Sequence, residues 1–207
     1  MSNPIRLAVA VVLFSLFSGC TSTQIRRAEP VEIELPQAQG QPRQFSPAII
    51  LRYQQAIAHL RKEEISHALL ALQELLADDP EIAGAWYNLA LIQHQQNDPD
   101  SALQSLQRCL SLNPRNPSAH TLHGLILRQQ GQFTEARMAY ARALESDPDF
   151  ADAHLNLAIL YDIYLQFFYD AHDHYQRYLE LTTEGETPEK VKLWLQDLQL
   201  RMLQENN

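Results

Sequence analysis

The chain has 207 residues, with 16 Lys and Arg against 25 Asp and Glu and a formal net charge of −9. That balance supplies no basic field to displace phosphate counterions, so it argues against a nucleic-acid partner. Only two cysteines occur, Cys20 and Cys109, and the length suits one elongated domain plus a tether.

Residues 1–19 read as an export signal. A basic start at Arg6 precedes an apolar run from Leu7 to Phe17 that is too short to span a bilayer. The end of this segment, Leu16-Phe17-Ser18-Gly19-Cys20, resembles a bacterial lipobox, although Phe17 stands where an aliphatic residue is usual. The resemblance implies a lipidated Cys20 at the mature N-terminus. With Thr21 rather than aspartate next, it also implies attachment to the outer membrane, facing the periplasm. Several acyl chains would anchor the protein stably. Residues 20–46 then form a Pro- and Gln-rich tether with too little apolar periodicity to fold alone. Ser46-Pro47 supplies a helix cap and a first-turn proline.

From Ile49 onward, small and large apolar residues recur at fixed offsets. In the segment Pro117 to Pro148, Gly124 and Ala136 allow two helices to approach, Tyr140 fills the space beside them, Gly131 turns the chain and Pro148 ends the second helix. One period earlier stand Ala90, Ala102, Leu106, Cys109 and Pro114; two periods earlier, Ala56, Ala68, Leu72, Leu75 and Pro80; one period later, His154, Leu157, Ala158 and Tyr161. Cys109, matched by Leu75 and Ala143 in neighbouring copies, is expected to be a small buried hydrophobe rather than a reactive thiol.

This 34-residue period resembles the tetratricopeptide repeat. The resemblance implies an all-α solenoid of helical hairpins over residues 47–184, with four units at about 49–82, 83–116, 117–150 and 151–184. Stacked hairpins bury a shared core and present a concave groove. By resemblance, first-helix positions two, five, nine and twelve face that groove: Gly84, Tyr87, Leu91 and His94; Ser118, Thr121, Leu125 and Arg128; Asp152, Leu155, Ile159 and Asp162. Tyr53 and Ile57 continue the row, and Asn88 and Asn156 fill a position often held by Asn in such repeats. The mixture suits an extended peptide or a partner helix, with about a third of the row expected to pack on neighbouring helices instead. A carboxylate clamp is not implied, because Tyr87 and Leu155 stand where chaperone-binding relatives carry lysine. Arg52 and Gln55 make the first copy the most degenerate, as expected of an N-terminal cap.

The fourth copy runs one residue late. Its signature Ala171, Tyr175 and Tyr178 implies an insertion in the turn Tyr164 to Tyr169. Seven of the fifteen Phe and Tyr residues fall between Tyr161 and Tyr178, which makes Tyr164, Phe167, Phe168 and Tyr169 a second candidate partner patch, with Phe167 and Phe168 expected to be exposed. The alternative is that these rings seal the last hairpin. Residues 185–207 form a capping helix, with Val191, Trp194, Leu195, Leu198 and Met202 as its apolar stripe.

Asp170, His172, Asp173 and His174 are the only cluster that invites a metal or catalytic reading. On a helix His172 and His174 diverge, so no metal site, cofactor or catalytic residue is expected. The expected function is that of a non-enzymatic adaptor binding an envelope protein or peptide. Its plan is similar to that of repeat lipoproteins that help secretins of type IV pili and secretion systems reach the outer membrane. Rival readings are an adaptor for peptidoglycan hydrolases or a trans-envelope motor, a self-associating scaffold, and a metal-dependent enzyme built on Asp170, His172 and His174.

Overall fold

The computed structural model describes residues 44–205; the expected signal segment, lipidated Cys20 and most of the tether lie outside them. Among the described residues there are nine helices and no strand: α1 (Pro47–Arg61), α2 (Ile65–Asp78), α3 (Ala83–Gln95), α4 (Pro99–Leu112), α5 (Pro117–Gln129), α6 (Phe133–Ser146), α7 (Ala151–Ile159), α8 (Phe168–Leu181) and α9 (Glu186–Glu205). They pair in order into four hairpins, each packed on the next, and α9 lies on α8. None is long and apolar enough to cross a membrane.

Local chemistry sets the helix starts. Ser46 Oγ accepts from the Ile49 amide at 3.3 Å, Asp98 from Ser101 at 3.1 Å and Asn116 from Ala119 at 2.9 Å, each with proline in the first turn. Such caps satisfy amides that have no partner inside the helix.

The hairpin turn is the same object each time. Glu63, Asn97 and Gly131 adopt the left-handed conformation at φ 58°, 61° and 76°. After each of them an amide reaches back five residues: Glu64 to the His59 carbonyl, Asp98 to Gln93 and Gln132 to Leu127, all at 2.9 Å. Only Gly131 holds this conformation without steric cost.

The buried faces repeat with the same period. Ala68, Ala102 and Ala136 are fully buried, as are Leu72, Leu106 and Tyr140 beside them. Each large side chain contributes roughly 1.5–3 kcal/mol by leaving water. Gly124 is the size of its gap, because a Cβ there would lie 2.6 Å from the Tyr140 ring. Cys109 occupies the same seam and is completely buried.

In the fourth hairpin the ladder continues as Ala171 and Tyr175, one residue late, and the left-handed turn residue is Gln166 at φ 57°. The insertion is absorbed earlier than expected. It forms a π-helical segment, Leu160–Leu165, which continues α7, and the turn amide of Phe167 therefore reaches back six residues to Tyr161 at 2.9 Å. A π-turn holds one more residue than an α-turn, so the hairpin keeps its seam while its tip widens.

Candidate protein-binding surface

The first-helix row shared by the four hairpins is far less open than the sequence implies. Tyr53, Ile57, Tyr87, Asn88, Leu91, Thr121, Leu125, Arg128, Leu155, Asn156, Ile159 and Asp162 are all buried; Gly84, His94 and Ser118 are half-buried, and Asp152 is exposed. The expectation that about a third would pack on neighbours is therefore corrected. Adjacent hairpins approach closely enough for row residues to become seam residues. Asn88 Nδ2 donates to the Tyr53 hydroxyl at 2.9 Å, and Arg128 Nη2 donates to Asn156 Oδ1 at 3.4 Å. Leu155 and Ile159 join Val191 and Leu198 of α9 in the last core. The capping helix thus covers the row's final members.

Polar capacity remains inside the row. Asn88 Oδ1, His94 Nε2, Thr121 Oγ1 and Arg128 Nε are buried without a hydrogen-bond partner. Buried polar atoms are rarely left so. Arg128 also stacks over the Tyr164 ring, 5.7 Å from its centroid.

The aromatic end divides differently from the expectation. Tyr164, Phe167 and Tyr169 are exposed, at 42%, 48% and 68%, and Ile163 beside them is exposed at 37%. Phe168, expected to pair with Phe167 at the surface, is half-buried instead: it packs into the last core under the Arg201 guanidinium, 5.2 Å from its ring centroid. As the first residue of α8, Phe168 faces the capping helix, whereas Phe167 precedes the helix and stays outside.

The cluster Asp170, His172 and His174 does not converge. His174 Nδ1 faces His154 Nδ1 at 2.9 Å, whereas His172 turns to Asp173 at 3.4 Å and to Gln199 at 3.3 Å. Burial, reinforced by the His154 ring, depresses the His174 pKa to about 4. Within the row, burial raises the Tyr87 hydroxyl far above its usual range, which keeps it neutral.

One repeated role escapes sequence reasoning because two chemically different side chains, tryptophan and histidine, share it. Trp86 Nε1 donates to the Pro80 carbonyl at 2.8 Å, and His120 and His154 donate from Nε2 to Pro114 and Pro148 at 2.9 Å. Asp79, Asn113 and Asp147 each accept from the amide two residues on, at 3.1, 3.3 and 3.0 Å. Every link between hairpins is thus a side-chain turn closed by a ring N–H. The only signal was that ring donors recur six residues after each proline.

Antiparallel hairpins that repeat one seam, one turn and one link, and bury their faces against each other, define a helical-repeat scaffold. Residues 53–117 match a family model described as a tetratricopeptide repeat, and residues 124–162 match another described as a TPR repeat. The chain is a tetratricopeptide-repeat protein, and domains of this kind serve protein–protein interaction rather than catalysis as a rule.

Solved structures similar in fold include pilF of Pseudomonas aeruginosa, at 21% identity and TM-score 0.67 over 76% of this chain and 70% of that one. MamA (41-end) from Desulfovibrio magneticus RS-1 is 19% identical with TM-score 0.63, covering 77% and 88%. YrrB, described as a TPR protein with an unusual peptide-binding site, is 24% identical with TM-score 0.56, covering 70% and 74%. No curated protein matches the sequence.

Proposed function

We propose that the protein is a non-enzymatic adaptor, anchored through a lipidated Cys20 at the periplasmic face of the outer membrane, that captures a segment of an envelope protein on its first-helix row. In this reading it is a pilotin-like assembly factor for a type IV pilus or secretion system. The lipid fixes its place, residues 21–46 give reach, and the repeats hold the client. The observation that carries the binding reading is the polar part of the row that stays open, half-buried His94 and Ser118 and exposed Asp152, on the first helices of three successive hairpins. An extended peptide brings alternating N–H and C=O groups suited to such a row. The lipobox resemblance carries the anchoring, and the pilotin comparison rests on the plan of a lipid anchor, a tether and a repeat array.

The test is an affinity pull-down from crosslinked envelopes. It compares the native lipoprotein with a row variant, His94→Ala with Thr121→Val, and an aromatic variant, Phe167→Ala with Tyr169→Ala. These substitutions avoid the cavities that truncating buried Tyr87 or Leu125 would open. One envelope protein lost only by the row variant supports the reading. Loss only by the aromatic variant moves the site to the Tyr164–Tyr169 end. Release of a Cys20→Ala chain from the membrane fraction tests the anchor separately.

A further inference from the structure

The tip of the first hairpin brings together three donors that no repeat requirement explains. His59 lies in the last turn of α1, Glu64 is the residue before α2, and His67 lies in the first turn of α2. Glu63, left-handed at φ 58°, folds the chain between them, and the Glu64 amide bonds the His59 carbonyl at 2.9 Å. The backbone therefore fixes the two helix ends before any side chain acts.

Ligand atoms of the three side chains lie within 4.8 Å of one another, and His59 Nδ1 is already 2.6 Å from Glu64 Oε2. The His59 and His67 rings overlap at 5.4 Å with 23° between their planes. His59 is half-exposed and Glu64 and His67 are exposed, so an ion can reach them and the rings can turn. Among the described residues no other group of three such side chains converges.

Comparison within the chain separates this cluster from the repeat. At the places of His59, Glu64 and His67 the second hairpin has Gln93, Asp98 and Ser101, and the third has Leu127, Gln132 and Glu135. Those turns close with the same backbone bond and need no imidazole. An exposed His–Glu pair contributes little to stability by itself.

We propose that His59, Glu64 and His67 form a binding site for one divalent transition-metal ion of the zinc class. Two imidazoles and a carboxylate are the donor set that such ions favour, in contrast to the all-oxygen shells of magnesium and calcium. Ligand atoms around a tetrahedral zinc with bonds of about 2.0–2.1 Å sit about 3.3 Å apart, so closure needs a turn of the exposed His67 ring and a small separation of His59 Nδ1 and Glu64 Oε2 from their present 2.6 Å. The ion takes the place of the proton shared by His59 and Glu64, and water completes its shell. Bound there, it ties the end of α1 to the start of α2 across the first hairpin turn. Protons compete with the ion for the same nitrogens.

The test uses the full chain purified without a histidine tag. Zinc is titrated calorimetrically at pH 7.5 into the native protein and into His67→Ala, Glu64→Gln and the distant control His172→Ala. The zinc-free melting temperature of each is measured first, to show that all are folded. The expected result is one zinc per native chain, a rise in melting temperature with zinc, at least tenfold weaker binding in His67→Ala and Glu64→Gln, and no change in His172→Ala. No zinc binding by the native chain overturns the proposal. So does native-like binding in His67→Ala, or equal loss in the control, since either places the ion elsewhere.

Discussion

Asn88 donates from Nδ2 to the Tyr53 hydroxyl at 2.9 Å, and that hydroxyl stands 2.6 Å from where a Cβ on Gly84 would lie. One oxygen thus accounts for both the amide and the missing side chain on α3. Asn88 is fully buried and its Oδ1 is already unpartnered. Tyr53→Phe strands its amide as well, at a cost of about 1–3 kcal/mol. Gly84→Ala is also destabilising, but less so in the Tyr53→Phe background, where the closest clashing atom is gone. A double-mutant cycle by urea unfolding measures this; strictly additive losses would show that the hydroxyl does not set the gap.

Gly124 makes the corresponding contact within a hairpin. Its added Cβ would meet Tyr140 carbons at 2.6, 2.7 and 3.0 Å, and Tyr140 is completely buried with no room to retreat. Gly124→Ala is expected to cost about 1–3 kcal/mol by overpacking, outweighing the gain in helix propensity. Exposed Gly131 provides the contrast. Space there is open, and a substitution suffers only from the positive φ. Thermal unfolding of the two alanine variants separates steric from conformational cost.

The seam was legible in the sequence because Ala68, Ala102 and Ala136, with Leu72, Leu106 and Tyr140, answer to one period and one physical demand, close helix contact. The accessibility of the row was not. Whether Leu91 or Leu125 is open depends on how near the next hairpin comes, which no spacing within one hairpin encodes. The extra residue of the fourth copy was visible as a shift of Tyr175, yet its site was hidden, because a π-turn at Leu160–Leu165 and a longer loop displace the following residues equally. Trp86, His120 and His154 share a role that only the proline carbonyls reveal.

His154 and His174 make a pH-sensitive contact. His154 Nε2–H donates to the Pro148 carbonyl, so its Nδ1 is bare and accepts from His174 Nδ1–H. Burial first, then His154, lowers the His174 pKa from 6.5 to about 4, against the pull of Asp170 and Asp173. A base depressed on folding binds its proton more readily when unfolded. Its contribution is therefore complete above pH 6.5 and is lost as pH falls towards 4. The ring is partly solvated, so the loss is about 1–3 kcal/mol after screening. Urea midpoints at pH 7 and pH 5 should fall in the native protein, and fall less in His174→Asn.

The capping helix is latched by a charge pair that behaves unlike a surface ion pair. Arg201 of α9 donates from Nη2 to Asp162 Oδ1 at 2.7 Å, and the Tyr175 hydroxyl donates to Oδ2 at 3.3 Å. The Asp162 side chain is only 3% exposed, and burial raises its pKa above 3.8 despite the opposing pull of Arg201 and Tyr175. An acid raised on folding contributes most at low pH, and that contribution is lost as pH rises through its folded value. Arg201→Met removes the guanidinium and leaves the carboxylate buried with one hydroxyl, at a cost of about 3 kcal/mol near neutrality. At pH 4 the carboxyl can be protonated in place, so the same substitution should cost less there. Asp162→Asn combined with Arg201→Met should recover most of the loss at pH 7, because no buried charge remains. Hydrogen exchange should show unprotected α9 amides in the single variant, with protection largely regained in the double. An equal cost at both pH values would mean that Arg201 acts through its packing on Phe168 rather than through the charge of Asp162.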